Sequence, residues 1–157
     1  MGKHNYLPNL YLIGFMGTGK SSVGKIVAQK TGLRFIDSDQ EIENQSGLSI
    51  TKIFESFGEQ KFREFEKKFI QNGHPESGCV VSCGGGLPIP EGMMDRLKSK
   101  GLVICLWANV ETIYERLDVL DGRKASAFTV QGDLDSDTGV SSVLNDNSSS
   151  MGGCLTV

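Results

Sequence analysis

The sequence has no hydrophobic run long enough to cross a membrane and no stripe of basic residues. Its longest apolar segments, residues 10–13 and 102–107, have the length of β-strands, whereas a membrane helix needs about 20 apolar residues. The net charge is −3, and basic residues are not interleaved with aromatic ones, which argues against a nucleic-acid partner. We therefore expect neither membrane nor nucleic-acid binding, and a small molecule fits better as the ligand.

Signals for secretion and for zinc binding are also missing. The first nine residues, MGKHNYLPN, lack the apolar segment of a secretion signal, which predicts a cytoplasmic location. The four cysteines, at positions 79, 83, 105 and 154, do not have the spacing of zinc ligands. Because disulfides are rare in the cytoplasm, we expect reduced thiols.

Lysine and arginine are missing from the end of the chain. Residues 125–157 contain none of the 16 Lys and Arg, although they hold four Asp together with runs of Ser and Gly. This composition weakens any core-forming pattern. A length of 157 residues is typical of one domain, so we expect a single domain over residues 1–157, in which residues 124–157 are atypical.

A glycine-rich motif, GFMGTGKSS, occupies residues 14–22 between an apolar run and a helical pattern. Its G-x-x-x-x-G-K-[ST] spacing is that of a P-loop, in which backbone N–H groups surround a phosphate. Lys20 then reaches the outer phosphates, and the hydroxyl of Ser21 is a ligand for Mg²⁺. The alternative is a glycine-rich turn with a surface lysine, but the flanking strand and helix favour nucleotide phosphate binding.

Strand-like and helix-like segments alternate along the rest of the chain in the order β-α-β-α-α-β-α-β-α. This alternation predicts an α/β fold, a P-loop three-layer α/β/α architecture with a parallel sheet of about five strands. Residues 102–107 form the fourth strand, and the fifth comes from either residues 125–130 or residues 154–157.

Individual residues predict where several helices begin and where one is interrupted. Ser49 and Asn109 are expected to be N-caps, and Gly58 is expected to break a helix. Pro90 suits the first turn of another helix. In the first helix, four residues are predicted to lie on one face of the helix: Val23, Ile26, Val27 and Lys30.

Three further groups of residues are candidates for binding a ligand. Asp37 and Asp39 follow the second strand at the edge where ligands bind in open α/β sheets, although Asp39 could instead cap a helix. Three glycines, Gly84, Gly85 and Gly86, follow the third strand and leave backbone N–H groups accessible. Arg63 lies beside acidic residues and, without further information, suits an ordinary surface arginine.

Taken in order, the motifs GFMGTGKSS, DSD, GEQKFREFE and SCGGG resemble those of the shikimate kinase family, over about residues 10–124. The resemblance implies that Asp37 lies near Mg²⁺ with Ser21, and that Asp39, Arg63 and the three glycines at 84–86 bind shikimate. It implies catalytic roles for Lys20, Asp37, Asp39 and Arg123. ATP would be bound by Arg123 and by six residues of the P-loop: Gly17, Thr18, Gly19, Lys20, Ser21 and Ser22.

The resemblance implies phosphorylation of the 3-hydroxyl of shikimate, with ATP as co-substrate and Mg²⁺ as cofactor, and we expect a monomer. The sequence departs from the family at Arg123, which is followed by Lys124 instead of Pro, and no arginine follows Arg123. Two alternatives remain. One is a kinase of another small polyol or acid such as gluconate, and the other is a nucleotide-binding protein that has lost transfer chemistry and acts by interaction.

Overall fold

The computed structural model describes residues 7–120 and 155–156, with side chains for residues 7–117. Five parallel strands form one sheet in the order β2-β3-β1-β4-β5. The strands are β1 Asn9–Ile13, β2 Arg34–Asp37, β3 Cys79–Ser82, β4 Gly101–Cys105 and β5 Leu155–Thr156. The helices are α1 Lys20–Thr31, α2 Ser38–Ser46, α3 Ile50–Asn72, α4 Met93–Lys100 and α5 Val110–Leu120.

The predicted order of elements and the parallel α/β architecture are confirmed. Of the two candidates for the fifth strand, the C-terminal one pairs with β4, with Leu155 opposite Ile104. The other candidate, residues 125–130, lies outside the described residues. β4 is shorter than the predicted 102–107 because its ladder with β1 ends where Ile13 pairs with Cys105.

Both faces of the sheet carry a hydrophobic core, as a parallel sheet covered by helices requires. Side chains alternate between the faces along β1. Tyr11 and Ile13 join a large cluster with residues of α2, α3 and α4, whereas Leu12 joins a smaller one that includes Ala28 of α1. All four residues of β3 are buried, so the centre of the sheet is shielded from water on both sides.

The predicted face of α1 is wrong in part, although Val27 does pack against the smaller core cluster. Val23 and Ile26 are 37% and 54% exposed, and Gly24 and Ala28 turn towards the sheet instead. A Cβ atom at Gly24 would lie 2.7 Å from Cε2 of Phe35. The missing side chain therefore lets the helix approach the sheet closely, which fixes the position of the P-loop at its N-terminal end.

Most of the predicted helix boundaries are confirmed. The side chain of Ser49 accepts a hydrogen bond from the N–H of Lys52, and Oδ1 of Asn109 accepts one from the N–H of Thr112. Gly58, at φ 78° and ψ 176°, interrupts the helical geometry within α3. The prediction for Pro90 is wrong, because α4 begins after Gly92 and Pro90 precedes it in a turn.

No helix among the described residues is long and apolar enough to span a membrane. Among the described residues, Cys79, Cys83 and Cys105 form no disulfide bond, and the reduced state of the thiols stays a prediction. Cys154 lies outside the described residues.

Candidate active site

The topology brings the ends of three strands to one edge of the sheet. The P-loop follows β1, and the registers place Asp37, the last residue of β2, opposite Ser82, the last residue of β3. Ser82 is also opposite Leu12 of β1. Ligands of open α/β folds bind at this carboxyl edge, and the candidate residues of three separate motifs therefore meet there.

Three glycines allow the backbone of the P-loop to curl. Gly14, Gly17 and Gly19 have φ angles of 138°, 79° and 93°, a region that other residues rarely adopt. A Cβ atom at Gly14 would collide with the carbonyl oxygen of Leu106. Gly19 is the N-cap of α1 and provides no side-chain cap, so the first N–H groups of the helix remain available to an anion.

Lys20 extends back along the P-loop. It is buried, and Nζ donates hydrogen bonds to the carbonyl oxygens of Gly14 and Phe15, each at 2.8 Å. Burial lowers the pKa of the ammonium, while the carboxylates of Asp39 and Asp37 act in the opposite direction. The one cation inside the described part of the loop is thus held by the loop's own carbonyl oxygens.

Three oxygen-bearing side chains lie beside the start of α1. Oγ of Ser21 donates to Oδ2 of Asp37 at 2.9 Å and lies 3.1 Å from Oγ of Ser82. A carboxylate and hydroxyls suit Mg²⁺, which prefers oxygen ligands and keeps several waters or phosphate oxygens. No cluster of three or more His, Cys, Asp or Glu occurs among the described residues, so a metal ion here would depend on those additional oxygens.

Asp37 also determines the start of α2. Its Oδ1 accepts hydrogen bonds from the N–H groups of Asp39 and Gln40, at 3.2 and 3.4 Å. The capping interpretation of Asp39 is therefore wrong, because Asp37 is the N-cap. Asp39 does not cap the helix, and its carboxyl group lies against the glycine turn after β3. A Cβ atom at Gly84 would be 2.6 Å from Oδ1 of Asp39.

Burial and neighbouring charges both act on the carboxyl group of Asp39. Burial raises the pKa of Asp39, the nearby charge of Asp37 raises it further, and a hydrogen bond from Ser38 and the charge of Lys20 oppose the change. A carboxyl group with a raised pKa is a better proton acceptor than an ordinary exposed aspartate. The geometry thus gives the two carboxylates different environments, one fixed as a helix cap and one facing the turn.

Arg63 lies at the other end of the same turn, beside Gly86. Its Nη1 donates to Glu66 at 2.7 Å and its Nη2 to Glu59 at 2.8 Å. A Cβ atom at Gly86 would be 2.7 Å from Nη1 of Arg63. Glu66 is 1% exposed, and burial raises its pKa while Arg63 opposes the shift. The pairing with acidic neighbours is confirmed, but the arginine is half-buried at the turn and not on an open surface.

Several candidates are less informative. Thr18 donates to the carbonyl oxygen of Phe15 at 2.8 Å and stabilises the P-loop, and Ser22 is exposed on α1. Gly85 lies between the two close contacts of the turn, and its Cβ position would be 3.8 Å from the backbone nitrogen of Met16. Arg123 lies outside the described residues, so its assignment stays a prediction.

Sequence reasoning missed three residues that contribute to this arrangement. Ser38 and Ser82 hydrogen-bond to candidate site residues, and Arg116 donates from α5 to the carbonyl oxygen of Gly17 at 2.8 Å. Both serines stand inside recognised motifs, DSD and SCGGG, which was an available signal. The contact of Arg116 joins residues 99 positions apart, and no local pattern predicts it.

A P-loop after the first strand of a parallel sheet with the order β2-β3-β1-β4-β5, faced by Asp37 and Ser82, defines a P-loop kinase fold. Comparison with known proteins narrows this class. The family model described as shikimate kinase matches residues 16–131. The chain belongs to the shikimate kinase family.

Several relatives named shikimate kinase match about 70% of this chain. A shikimate kinase of Thermodesulfovibrio yellowstonii is 46% identical over 71% of this chain and 64% of that protein. One of Persephonella marina is 48% identical over 69% of this chain and 66% of that protein. The structure of shikimate kinase from Acinetobacter baumannii in complex with shikimate has a TM-score of 0.68 and 38% identity, covering 74% of this chain and 65% of that one. The matched part is thus slightly less than two thirds of these relatives.

Proposed function

We propose that this chain is an ATP-dependent kinase that transfers a phosphoryl group to the 3-hydroxyl of shikimate. One observation carries the proposal. A carboxylate, Asp39, and a guanidinium group, Arg63, contact opposite ends of one glycine turn beside the P-loop. Shikimate bears hydroxyls and one carboxylate, so these two groups complement its two kinds of polar substituent. Family membership and the shikimate complex of the A. baumannii relative support the choice of substrate.

The phosphate side of the site would align ATP and neutralise its charge, which is most of what phosphoryl transfer requires. The N–H groups of the P-loop and of the first turn of α1 would hold the phosphates, and Lys20 would contact the outer ones. Ser21, Asp37 and, through water, Ser82 would hold Mg²⁺. When bound, this ion neutralises charge on the transferred group and the leaving group. We include in this proposal the predicted role of Arg123 in neutralising the charge of ATP.

The acceptor side would orient shikimate. Arg63 would bind the carboxylate, because a guanidinium group donates two parallel hydrogen bonds to such a group. Asp39 and the exposed N–H groups of the glycine turn would bind hydroxyls. Asp39 would also accept the proton of the reacting hydroxyl, a role that its raised pKa supports. Asp37 is the other candidate for that role, but its N-cap hydrogen bonds occupy one of its oxygens.

A coupled assay of ADP release, run with and without shikimate, tests the function directly. We expect ADP release that depends on both shikimate and Mg²⁺ and no stimulation by gluconate. Stimulation by gluconate instead would favour a kinase of another acid. Nucleotide binding without stimulated ADP release would favour the nucleotide-binding protein, an alternative supported by the lack of arginine after position 123. A cytoplasmic location, a monomeric state and a single domain remain predictions within this proposal.

A further inference from the structure

Ser38 connects two parts of the proposed acceptor site. It is the first residue of α2 and is 0% exposed. Its Oγ accepts a hydrogen bond from the N–H of Gly84 at 2.8 Å, and the same hydroxyl donates to Oδ1 of Asp39 at 3.4 Å. The glycine turn and the carboxylate, 45 positions apart in the sequence, are thus joined by one side chain.

The hydroxyl is well suited to both bonds. A serine has one proton to donate and two lone pairs to accept with, so it can serve an N–H group and a carboxylate together. The turn and the carboxylate lie close together, since a Cβ atom at Gly84 would lie 2.6 Å from Oδ1 of Asp39. A small polar side chain can therefore hold this turn against the carboxylate, and an apolar one would leave the N–H of Gly84 without its partner.

The other side of the site is held by different contacts. Lys20 donates to the carbonyl oxygens of Gly14 and Phe15, and Ser21 contacts Asp37 and Ser82. The hydrogen bonds of the Ser38 hydroxyl to Gly84 and Asp39 do not involve the P-loop. A change at Ser38 should therefore affect the acceptor side and leave the nucleotide side largely unchanged.

We propose that Ser38 is a positioning residue that fixes Asp39 and the glycine turn at residues 84–86 as one unit for binding the acceptor. The proposal rests on the function proposed above and adds a residue that acts through its neighbours, without contact to the substrate. Its role is to set the distance between the groups that bind hydroxyls. Loss of the hydroxyl should thus weaken acceptor binding more than it slows the chemical step.

The experiment compares the wild-type chain of 157 residues with Ser38→Ala, Ser38→Thr and a control, Ser46→Ala. Ser46 lies at the other end of α2, where its hydroxyl bonds to the backbone of Glu43 and Leu48. For each protein, calorimetry gives the affinities for shikimate and for ATP, ADP release gives kcat and KM, and thermal unfolding checks the fold.

We expect Ser38→Ala to raise the KM for shikimate on the order of tenfold, with a smaller change in kcat and an ATP affinity within about twofold of the wild type. Ser38→Thr keeps the hydroxyl and should recover most of the loss. Ser46→Ala should match the wild type in both affinities. If Ser38→Ala does not fold at the assay temperature, Ser38→Cys replaces it, since a thiol of similar size forms weaker hydrogen bonds, and an intermediate loss is expected.

Two results would overturn the proposed role of Ser38 without affecting the proposed function of the chain. One is an unchanged shikimate KM in folded Ser38→Ala, and the other is an equal loss of ATP and shikimate affinity. A wild type that neither binds shikimate nor releases ADP in response to it would instead overturn the proposed function, and the role of Ser38 with it.

Discussion

The two sides of the candidate active site are built in different ways. The phosphate side is a contiguous loop, residues 14–22, in which backbone N–H groups and one lysine would bind the phosphates in the proposed function. The acceptor side is assembled from α2, α3 and the turn after β3, and its side chains pair with one another. A change on the phosphate side should therefore remove one phosphate-binding group directly. A change on the acceptor side should also disturb the neighbouring side chains that pair with the altered group.

The largest effect is expected from Lys20→Ala. The variant loses the cation held within the P-loop, and the loss of one such group costs about 10²- to 10³-fold in kcat. Steady-state kinetics and nucleotide titration measure the effect. Lys25→Ala is the matched control, because Lys25 lies on the same helix but is exposed and faces the ring of Phe35. Equal activity of Lys20→Ala and the control would contradict the proposal that Lys20 binds the phosphates of ATP.

Arg63→Ala should weaken shikimate and leave ATP nearly unaffected. A lost charge-assisted contact costs about 1.5–3 kcal/mol, which corresponds to roughly 10- to 150-fold in kcat/KM. The variant should also unfold more easily, because Glu66 is 1% exposed and would lose its partner.

The double variant Arg63→Ala/Glu66→Gln separates the two consequences of losing the arginine. A neutral amide at position 66 should recover part of the thermal stability without recovering shikimate affinity. Recovery of both would mean that Arg63 acts only through stability and does not bind the substrate.

Gly86→Ala should cost less than the loss of the arginine itself. The new methyl group would lie 2.7 Å from Nη1 of Arg63, but a flexible arginine can move away, so we expect a shikimate KM raised by about tenfold or less. A double-mutant cycle sharpens the test, because the effect of Gly86→Ala should nearly vanish when Arg63 is already alanine. Additive losses would show that the two residues act independently.

The smallest effect concerns stability and pH. Since the pKa of Asp39 is raised in the folded protein, the folded state holds this proton to higher pH than the unfolded chain. The free energy of unfolding therefore decreases as pH rises from the ordinary aspartate range through the raised pKa. Asp39→Asn should raise Tm at pH 7 by about 2–4 °C, and the gain should shrink towards pH 4. Unfolding without added nucleotide or Mg²⁺ measures this, and a gain that grows on acidification would contradict it.

The same contrast explains what the sequence could predict. The P-loop was predictable because its spacing, its glycines and its flanking elements are all local. The order of elements followed from alternating patterns, and the caps at Ser49 and Asn109 from residues a few positions away. Such features need no knowledge of which elements pack together.

The errors arose where tertiary packing decides. The buried face of α1 depends on Gly24, whose lack of a side chain permits close packing against Phe35. Which of Asp37 and Asp39 is the N-cap depends on where the first turn of α2 begins. Arg63 was ambiguous because its neighbours in sequence, Glu59 and Glu66, suit a surface arginine equally well, and the fold alone brings it to Gly86.

The most direct test of the account measures ADP release by the wild type and by Arg63→Ala at saturating ATP, while the shikimate concentration is varied. We expect release stimulated by shikimate in the wild type. We also expect a KM for shikimate that is at least about tenfold higher in Arg63→Ala and an ATP affinity that calorimetry finds unchanged. ADP release that does not respond to shikimate, or an arginine variant with an unaltered shikimate KM, would contradict the proposed function of the site.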